Sequence, residues 1–252
     1  MMPIHSRTWW REFFESPDAF ALSCFPEPPE TAAQVRGIKK LLDLRRGQFV
    51  ADICCGHGRH LLPLVAEGHE VVGLDVSAMM LRVAGHLAAE QQLPVRLVRG
   101  VAQQLPFADG AFDVVLNLFN SLGYMDDGEN QAVLDEIGRC LKPGGKFLLD
   151  TRNKKFQILY APYRQLVSLA DGRAALLQCK YDRDAGRLDS TWSNPGNPED
   201  VYCTASIRLY GPPQIEAMLA AAGFTVRGTF SEYDGSPFVG FERQLIYLCT
   251  RT

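Results

Sequence analysis

Buried-strand patterns and helical periodicities alternate along most of this chain. Phe49, Val50, Ala51 and Ile53 are small or apolar around a single acid, Asp52, as a strand covered on both faces requires. Glu70–Asp75 (EVVGLD) repeats that pattern, and so do residues 95–99, 112–116 and 146–150. Between these runs the spacing is helical. From Thr31, the residues Val35, Ile38, Leu41 and Leu42 share one face. Residues 61–67 form a helix that Gly68 ends, and residues 79–93 form another. Val133, Ile137, Cys140 and Leu141 make a third face, broken by Lys142-Pro143-Gly144-Gly145. Residues 212–222 carry proline in the first turn and stop at Gly223, before final strands at 224–230 and 244–250. The alternation predicts an α/β fold.

Residues 154–210 change the rhythm. Short, partly alternating runs at 166–169, 174–181, 187–193 and 201–209 are separated by Asp171-Gly172, Asp184-Ala185-Gly186 and Asn194-Pro195-Gly196. That pattern predicts antiparallel hairpins. Residues 1–30 are aromatic and proline-rich: Trp9, Trp10, Phe13, Phe14, Phe20 and Phe25, then Pro26, Pro28 and Pro29. Trp10, Phe13 and Phe14 share one helical face, for a helix that docks on the domain, closes over a ligand, or does both.

Composition changes this picture little. The 252 residues suit one α/β domain with an elaboration. A net charge of −3 with mixed signs argues against a general nucleic-acid or membrane binder. No apolar run approaches the roughly 20 residues that span a bilayer, and the first residues lack the pattern of a secretory signal. Seven cysteines, scattered mostly in apolar segments, are expected as reduced core residues of a cytoplasmic protein.

The chemistry concentrates at residues 50–60, VADICCGHGRH. A strand ends in Asp52, Gly56 and Gly58 allow a sharp turn, and a helix beginning near Arg59 points its unpaired N–H groups into that turn. A dinucleotide fingerprint would need a third glycine at position 61, which is Leu61. Asp52 is out of place beside a pyrophosphate and suits a ligand carrying an ammonium group. Asp75 closes the second strand roughly 20 residues after the turn, where such sheets place an acid against ribose hydroxyls. Its other reading is a helix cap, a role that Ser77 can take instead. Cys54, Cys55, His57 and His60 invite a metal reading, but their spacing is not that of zinc ligands and adjacent cysteines face opposite ways. No metal is expected.

These residues resemble the first motif of the class I S-adenosylmethionine-dependent methyltransferases, an acid followed by alternating glycines, with the small residue Cys54 at the first glycine. The resemblance continues through Gly100-Val101-Ala102 (commonly G-D-A), Leu105-Pro106-Phe107, and the F-D-x-V run at 112–115. The loop 117–124, NLFNSLGY, is similar to the F-x-S-x-G-Y loop of small-molecule methyltransferases, including amino-sugar N-methyltransferases, and not to N/D-P-P-Y. It covers residues 31–149 and resumes at Pro212. It implies a Rossmann-like seven-stranded mixed sheet, its last strand pair antiparallel, flanked by helices. Residues 31–153 and 211–252 would be the core, 154–210 a small antiparallel β insertion roofing the acceptor pocket, and 1–30 an aromatic lid.

The resemblance also implies S-adenosylmethionine as cofactor. The implied contacts are Trp10 from the lid, Asp52, Cys54, Gly56, Gly58 and Arg59 from the first motif, and Asp75, Val76 and Met80 around the ribose and adenine. Val101, Ala102 and Gln103 follow at the adenine, and Asn117 and Phe119 after the fourth strand. Val101 replaces the family's acid, so Gln103 or Gln104 would supply the adenine hydrogen bond, with the backbone N–H of Ala102 reaching the ring. Asn120, Tyr124, Arg152 and Tyr202 would bind the acceptor, with Tyr163, Trp192 and Arg208 as further candidate linings. The sulfonium methyl is already activated, so such an enzyme mainly aligns a nucleophile, an effect worth roughly 7–11 kcal/mol. A base is needed only if the acceptor must lose a proton. His5, His57, His60, His69 and His86 give no dyad, with His69 and His86 assigned to surface helix regions; Tyr124, Tyr202 and Tyr233 are candidates to orient an acceptor. The expected activity is N- or O-methylation of a small metabolite by a monomer or homodimer, with neither nucleic acid nor membrane as partner. A protein or RNA acceptor, a nicotinamide oxidoreductase and a non-catalytic S-adenosylmethionine-binding protein stay open.

Overall fold

The computed structural model describes residues 8–16, 28–169 and 171–252. His5, Phe20, Phe25 and Pro26, part of the expected lid, lie outside them. Helix α1 (Trp9–Glu15) and α2 (Pro28–Leu42) precede the first strand. There follow β1 (Phe49–Ile53), α3 (Leu61–Ala66), β2 (Glu70–Asp75), α4 (Ala78–Glu90), β3 (Arg96–Arg99), β4 (Phe112–Asn117), α5 (Asp127–Cys140) and β5 (Leu141–Arg152). The insertion contains α6 (Lys154–Tyr160), β6 (Tyr163–Ser168), β7 (Ala174–Asp182), β8 (Arg187–Asn194) and β9 (Asn197–Arg208). Helix α7 (Pro212–Ala221), β10 (Phe224–Phe230) and β11 (Gln244–Arg251) complete the fold.

Seven strands form one mixed sheet in the order β10-β11-β5-β4-β1-β2-β3. Strands β1 to β5 pair in parallel, whereas β11 runs antiparallel to β5 and β10 antiparallel to β11. Strand order reverses between β1 and β4, so a crevice opens at their carboxyl ends, where such sheets bind ligands. Alternation divides β1 between two cores. Ala51 and Ile53 join the core on one face, and Val50 joins the core on the other. Cys54 and Cys55 follow the same rule, one packed against each core.

Strands β6 to β9 form a separate antiparallel sheet. Its registers set Leu177 opposite Trp192, Cys179 opposite Ser190 and Ser190 opposite Ala205. These side chains share one face, and Cys179, Leu188, Ala205 and Ile207 extend the main core into the insertion. Gly123 fixes where the two sheets meet. A Cβ there would stand 2.4 Å from Arg208 O, and Arg208 N donates to Gly123 O at 2.7 Å. Helix α6 was not foreseen from periodicity; it is a short helix whose first turn is capped by the Asn153 side chain, accepting from Lys155 N at 3.0 Å. Among the described residues no helix is long and apolar enough to cross a membrane.

Candidate active site

The carboxyl ends of β1, β2 and β4, the inner face of the second sheet and helix α1 enclose a cavity of about 320 Å³. That volume suits a small organic ligand.

The floor is the glycine loop. Cys54 takes φ +65°, Gly56 +55° and Gly58 +82°, so the cysteine standing at the first glycine position adopts a left-handed backbone and the turn is kept. Cys54 N and Cys55 N both donate to Leu74 O, at 2.8 and 3.0 Å, which ties the loop to β2. The Asp75 carboxylate accepts from Gly56 N at 2.8 Å and from Ser77 N at 2.9 Å. Two oxygens offer about four lone-pair sites, so acceptor capacity remains after both bonds. At Gly56 no atom lies within 4 Å of where a Cβ would be, which leaves room for a ligand.

Burial dominates the electrostatics. Asp52 is buried, and desolvation with the nearby Asp75 charge pushes its carboxyl up to about 7, against a smaller pull from Arg59. Asp75 is also raised, mainly by desolvation, with its N–H donors opposing. Burial raises both the Cys54 and Cys55 thiols, so neither is a thiolate. His57 is lowered to about 4 by desolvation and by Arg59, so its imidazole is neutral.

Helix α1 closes the cavity from above. Trp9, Trp10, Phe13 and Phe14 all line it, and Trp9 meets Tyr124 edge-on with ring centroids 5.4 Å apart. The helix is fastened at its far end: Glu15 Oε1 accepts from Ala78 N at 2.7 Å, Glu15 Oε2 from Met79 N at 3.2 Å, and Ser77 Oγ donates to Phe14 O at 2.6 Å. Glu15 therefore satisfies two unpaired N–H groups in the first turn of α4. Sequence inspection missed it, because its partners lie more than sixty positions away.

The loop after β4 is held by buried polar groups. Asn130 Oδ1 accepts from Gly123 N at 3.0 Å, while Asn130 Nδ2 donates to Met125 O at 2.9 Å. Arg187 donates to Met125 O and Tyr124 O, both at 3.1 Å, from the second sheet. Phe119 and Asn120 take φ +57° and +63°, and Phe119 N donates to the buried Asp150 at 3.0 Å. Consecutive left-handed residues that are not glycine store strain of the kind found at functional sites. Arg59 lies over the Phe119 ring, 4.6 Å from its centroid.

The cavity gathers Trp10, Asp52, Cys54, Gly56, Arg59, Asp75, Val76, Met80, Ala102, Gln103, Phe119, Tyr124 and Arg152 from the expected set. Five expected residues stand outside its lining. Gly58 turns its Cα toward Leu62 and Ala84 beneath the loop. Val101 bridges to Gln104 and packs on the core, leaving Ala102 and Gln103 at the cavity. Asn117 points its amide back to Ile53 O at 3.0 Å. Asn120 keeps Oδ1 buried without a partner. Tyr202 is out of phase with Ala205 and Ile207, so period two carries it away from the inward face, under Arg173 at 5.3 Å. Arg208 fails for the same reason and pairs with Asp127 at 2.8 Å, whereas Tyr163 and Trp192 do line the cavity. Tyr233 is buried elsewhere and donates to Asp150 at 2.5 Å. His69 is buried rather than a surface residue. Trp9, His57, His60, Met125, Ser190 and Arg243 join the lining without having been assigned to it.

Comparison with known proteins places this geometry. Residues 50–145 match the family described as a methyltransferase domain. A demethylmenaquinone methyltransferase of Shouchella clausii (strain KSM-K16) is 31% identical over 180 residues, which cover 67% of this chain and 74% of that protein. A solved S-adenosylmethionine-dependent methyltransferase from Clostridium acetobutylicum ATCC 824 shares the fold with a TM-score of 0.76 at 16% identity, covering 91% of this chain and 94% of that one. The CcbJ methyltransferase from Streptomyces caelestis also gives 0.76, at 22% identity, over 91% of this chain and all of that one. Strand-end acid, glycine turn, sheet order and these relatives agree: the chain belongs to the class I S-adenosylmethionine-dependent methyltransferase family.

Proposed function

We propose that the chain transfers the methyl group of S-adenosylmethionine to nitrogen or oxygen of a small organic acceptor enclosed between its two sheets. The observation that carries this reading is one continuous cavity, with the glycine loop and Asp75 at one end and the apolar face of the β6–β9 sheet at the other. A cavity of this volume, largely apolar in its far half, suits a small molecule. Bound at the glycine loop, the cofactor supplies a sulfonium methyl that needs no further activation.

The chain's own residues do the rest. Asp75 accepts the ribose hydroxyls while holding Gly56 and Ser77. Asp52 faces the ligand's ammonium group, whose charge favours the ionised carboxyl over the protonated form that burial favours. Ala102, Gln103 and Met80 border the adenine. Trp9, Trp10, Phe13 and Phe14 exclude water over both ligands, and Tyr124, whose hydroxyl burial keeps protonated, orients the acceptor by donating a hydrogen bond. An amine acceptor in its neutral form then reacts without a base.

The relative from Shouchella clausii makes demethylmenaquinone a second acceptor to try, one that takes its methyl on a ring carbon and so stands as a separate reading, and the aromatic lining favours including it. Incubating the purified protein with methyl-labelled cofactor and a metabolite pool, then identifying the labelled product, tests the reading. A labelled small molecule carrying a new N- or O-methyl supports it; a quinone labelled on ring carbon overturns it in favour of the second acceptor, and label appearing only in protein or RNA overturns both.

A further inference from the structure

The wall facing the glycine loop is built from side chains that alternate inward along four strands: Tyr163, Leu177, Cys179, Leu188, Ser190 and Trp192, with Ala205 and Ile207 behind. Nearly all of it is apolar or aromatic. Two full positive charges interrupt it at one end, Arg152 from the last residue of β5 and Arg243 just before β11.

Of these two, Arg152 is the one with a stranded donor. Its Nε is buried with no hydrogen-bond partner, and it forms no ion pair among the described residues. The nearest carboxylate along its strand is Asp150. One oxygen of that group, Oδ2, already accepts from Tyr233 Oη, Gln244 Nε2 and Phe119 N, at 2.5, 2.7 and 3.0 Å; the other, Oδ1, is buried without a partner, and Arg152 draws down the titration of this carboxyl without hydrogen-bonding to it. Burying part of a guanidinium without a partner is costly, and an anion that forks onto it removes the cost. The third lining arginine also strands one buried nitrogen, Nη2, but differs in its place and its other contacts. Arg59 donates to Gln34 Oε1 at 2.6 Å, lies over Phe119, and belongs to the glycine-loop end. Arg152 and Arg243 both draw down the raised titration of Tyr163, and Arg152 does the same to Tyr124, so its charge is felt at both phenols of the acceptor half.

We propose that the methyl acceptor is an apolar or aromatic body carrying one anionic group, a carboxylate or a phosphate, and that Arg152 binds that group. Tyr163 and Arg243 flank the anion. The body lies between the α1 aromatics and the inward face of β7 and β8, which brings its far end to Tyr124. This assignment rests on the methyl-transfer reading above.

The test is calorimetry on protein saturated with S-adenosylhomocysteine, using benzoate, phenyl phosphate and neutral benzyl alcohol as probes. One of the two anions should bind about tenfold or more tightly than benzyl alcohol, and which one wins separates carboxylate from phosphate. Arg152→Gln should erase the preference while S-adenosylhomocysteine affinity stays within about twofold of wild type; Arg152→Lys should keep part of it. Equal binding of all three probes by the wild type, binding of none at millimolar concentration, or an unchanged preference in Arg152→Gln overturns the proposal. The wild-type ranking decides the matter even where Arg152→Gln does not fold. A wild type that binds S-adenosylhomocysteine yet ignores probe charge refutes the anion site alone, whereas one that binds no S-adenosylhomocysteine refutes the methyl-transfer reading as well.

Discussion

Removing the Glu15 carboxylate should loosen the aromatic cover without unseating it. In the structure Glu15 joins α1 to the first turn of α4 through two backbone N–H groups, and Arg99 Nη2 adds a contact at 3.1 Å. A carboxylate satisfying first-turn donors and the helix dipole contributes about 1–2 kcal/mol. The Arg99 pair is largely exposed and adds under about 1 kcal/mol. Glu15→Ala therefore costs the closed position about 1.5–2.5 kcal/mol, roughly ten- to seventyfold in the balance between closed and open. Against that stand Trp9 and Trp10, each 6% exposed. Burial of about 150–250 Å² per tryptophan at about 25 cal/mol per Å² contributes at most roughly 4–6 kcal/mol each. The cover therefore stays seated on average and opens more often. Ser77 still caps α4 through Met80 N, so that helix is preserved. Native-state hydrogen exchange is the assay: amides of α1 and of Ala78 and Met79 should exchange about ten- to seventyfold faster, with the core strands unchanged. Unchanged exchange would show that Glu15 holds nothing, and exchange of α1 at the unfolded rate would show that the tryptophans hold nothing.

Other expectations concern the floor and the acceptor. Asp75→Ala should weaken S-adenosylmethionine binding by about 1–3 kcal/mol in calorimetry, and an unchanged dissociation constant would remove Asp75 from the ribose. Asp52 has a folded-state pKa raised from 3.8 to about 7, so its stabilising contribution is complete below about 4 and is lost as pH rises through about 7. Urea unfolding should accordingly show wild type losing stability across that window relative to Asp52→Asn; parallel profiles would contradict the burial argument. Binding of the cofactor's ammonium group should expel a proton from Asp52 below pH 7, seen as a buffer-dependent binding enthalpy that Asp52→Asn lacks. Tyr124→Phe should lower acceptor turnover while cofactor affinity holds steady, and normal turnover with the identified acceptor would place the reacting group elsewhere.

Where local pattern and tertiary structure demanded the same thing, the chain could be read directly. EVVGLD forms the expected strand residue for residue, the hairpin turns at Asp171-Gly172 and Asp184-Ala185-Gly186 fall between the observed strands, and Pro195-Gly196 turns directly after Asn194, the last residue of β8. The glycine turn was legible because positive φ leaves few residue choices, and Cys54 shows that the choice is not glycine alone. Side-chain direction was less legible. Tyr202 and Arg208 lie in the right segment on the wrong face, since one position along a strand reverses the outcome. Asn117 and Asn120 sit in the right loop but turn toward the backbone or the interior. Contacts between distant segments left no local trace: nothing near Glu15 announces α4, and nothing near Arg187 announces the carbonyls of Tyr124 and Met125.

The alternation of the second sheet, regular from Arg187 to Trp192, gives the molecule a separable tuning surface. Ala205 and Ile207 on β9 and their partners on β7 and β8 touch the ligand space, while the out-of-phase Arg187 and Arg208 fasten this sheet to the rest of the fold, Arg187 to the carbonyls of Tyr124 and Met125 and Arg208 to Asp127. A combinatorial library confined to Leu177, Cys179, Leu188, Ser190, Ala205 and Ile207 would thus vary the shape of the accepted molecule on an intact frame. Retargeting such an enzyme becomes a matter of repainting one side of a ribbon, with the glycine loop and its carboxylates left as they are.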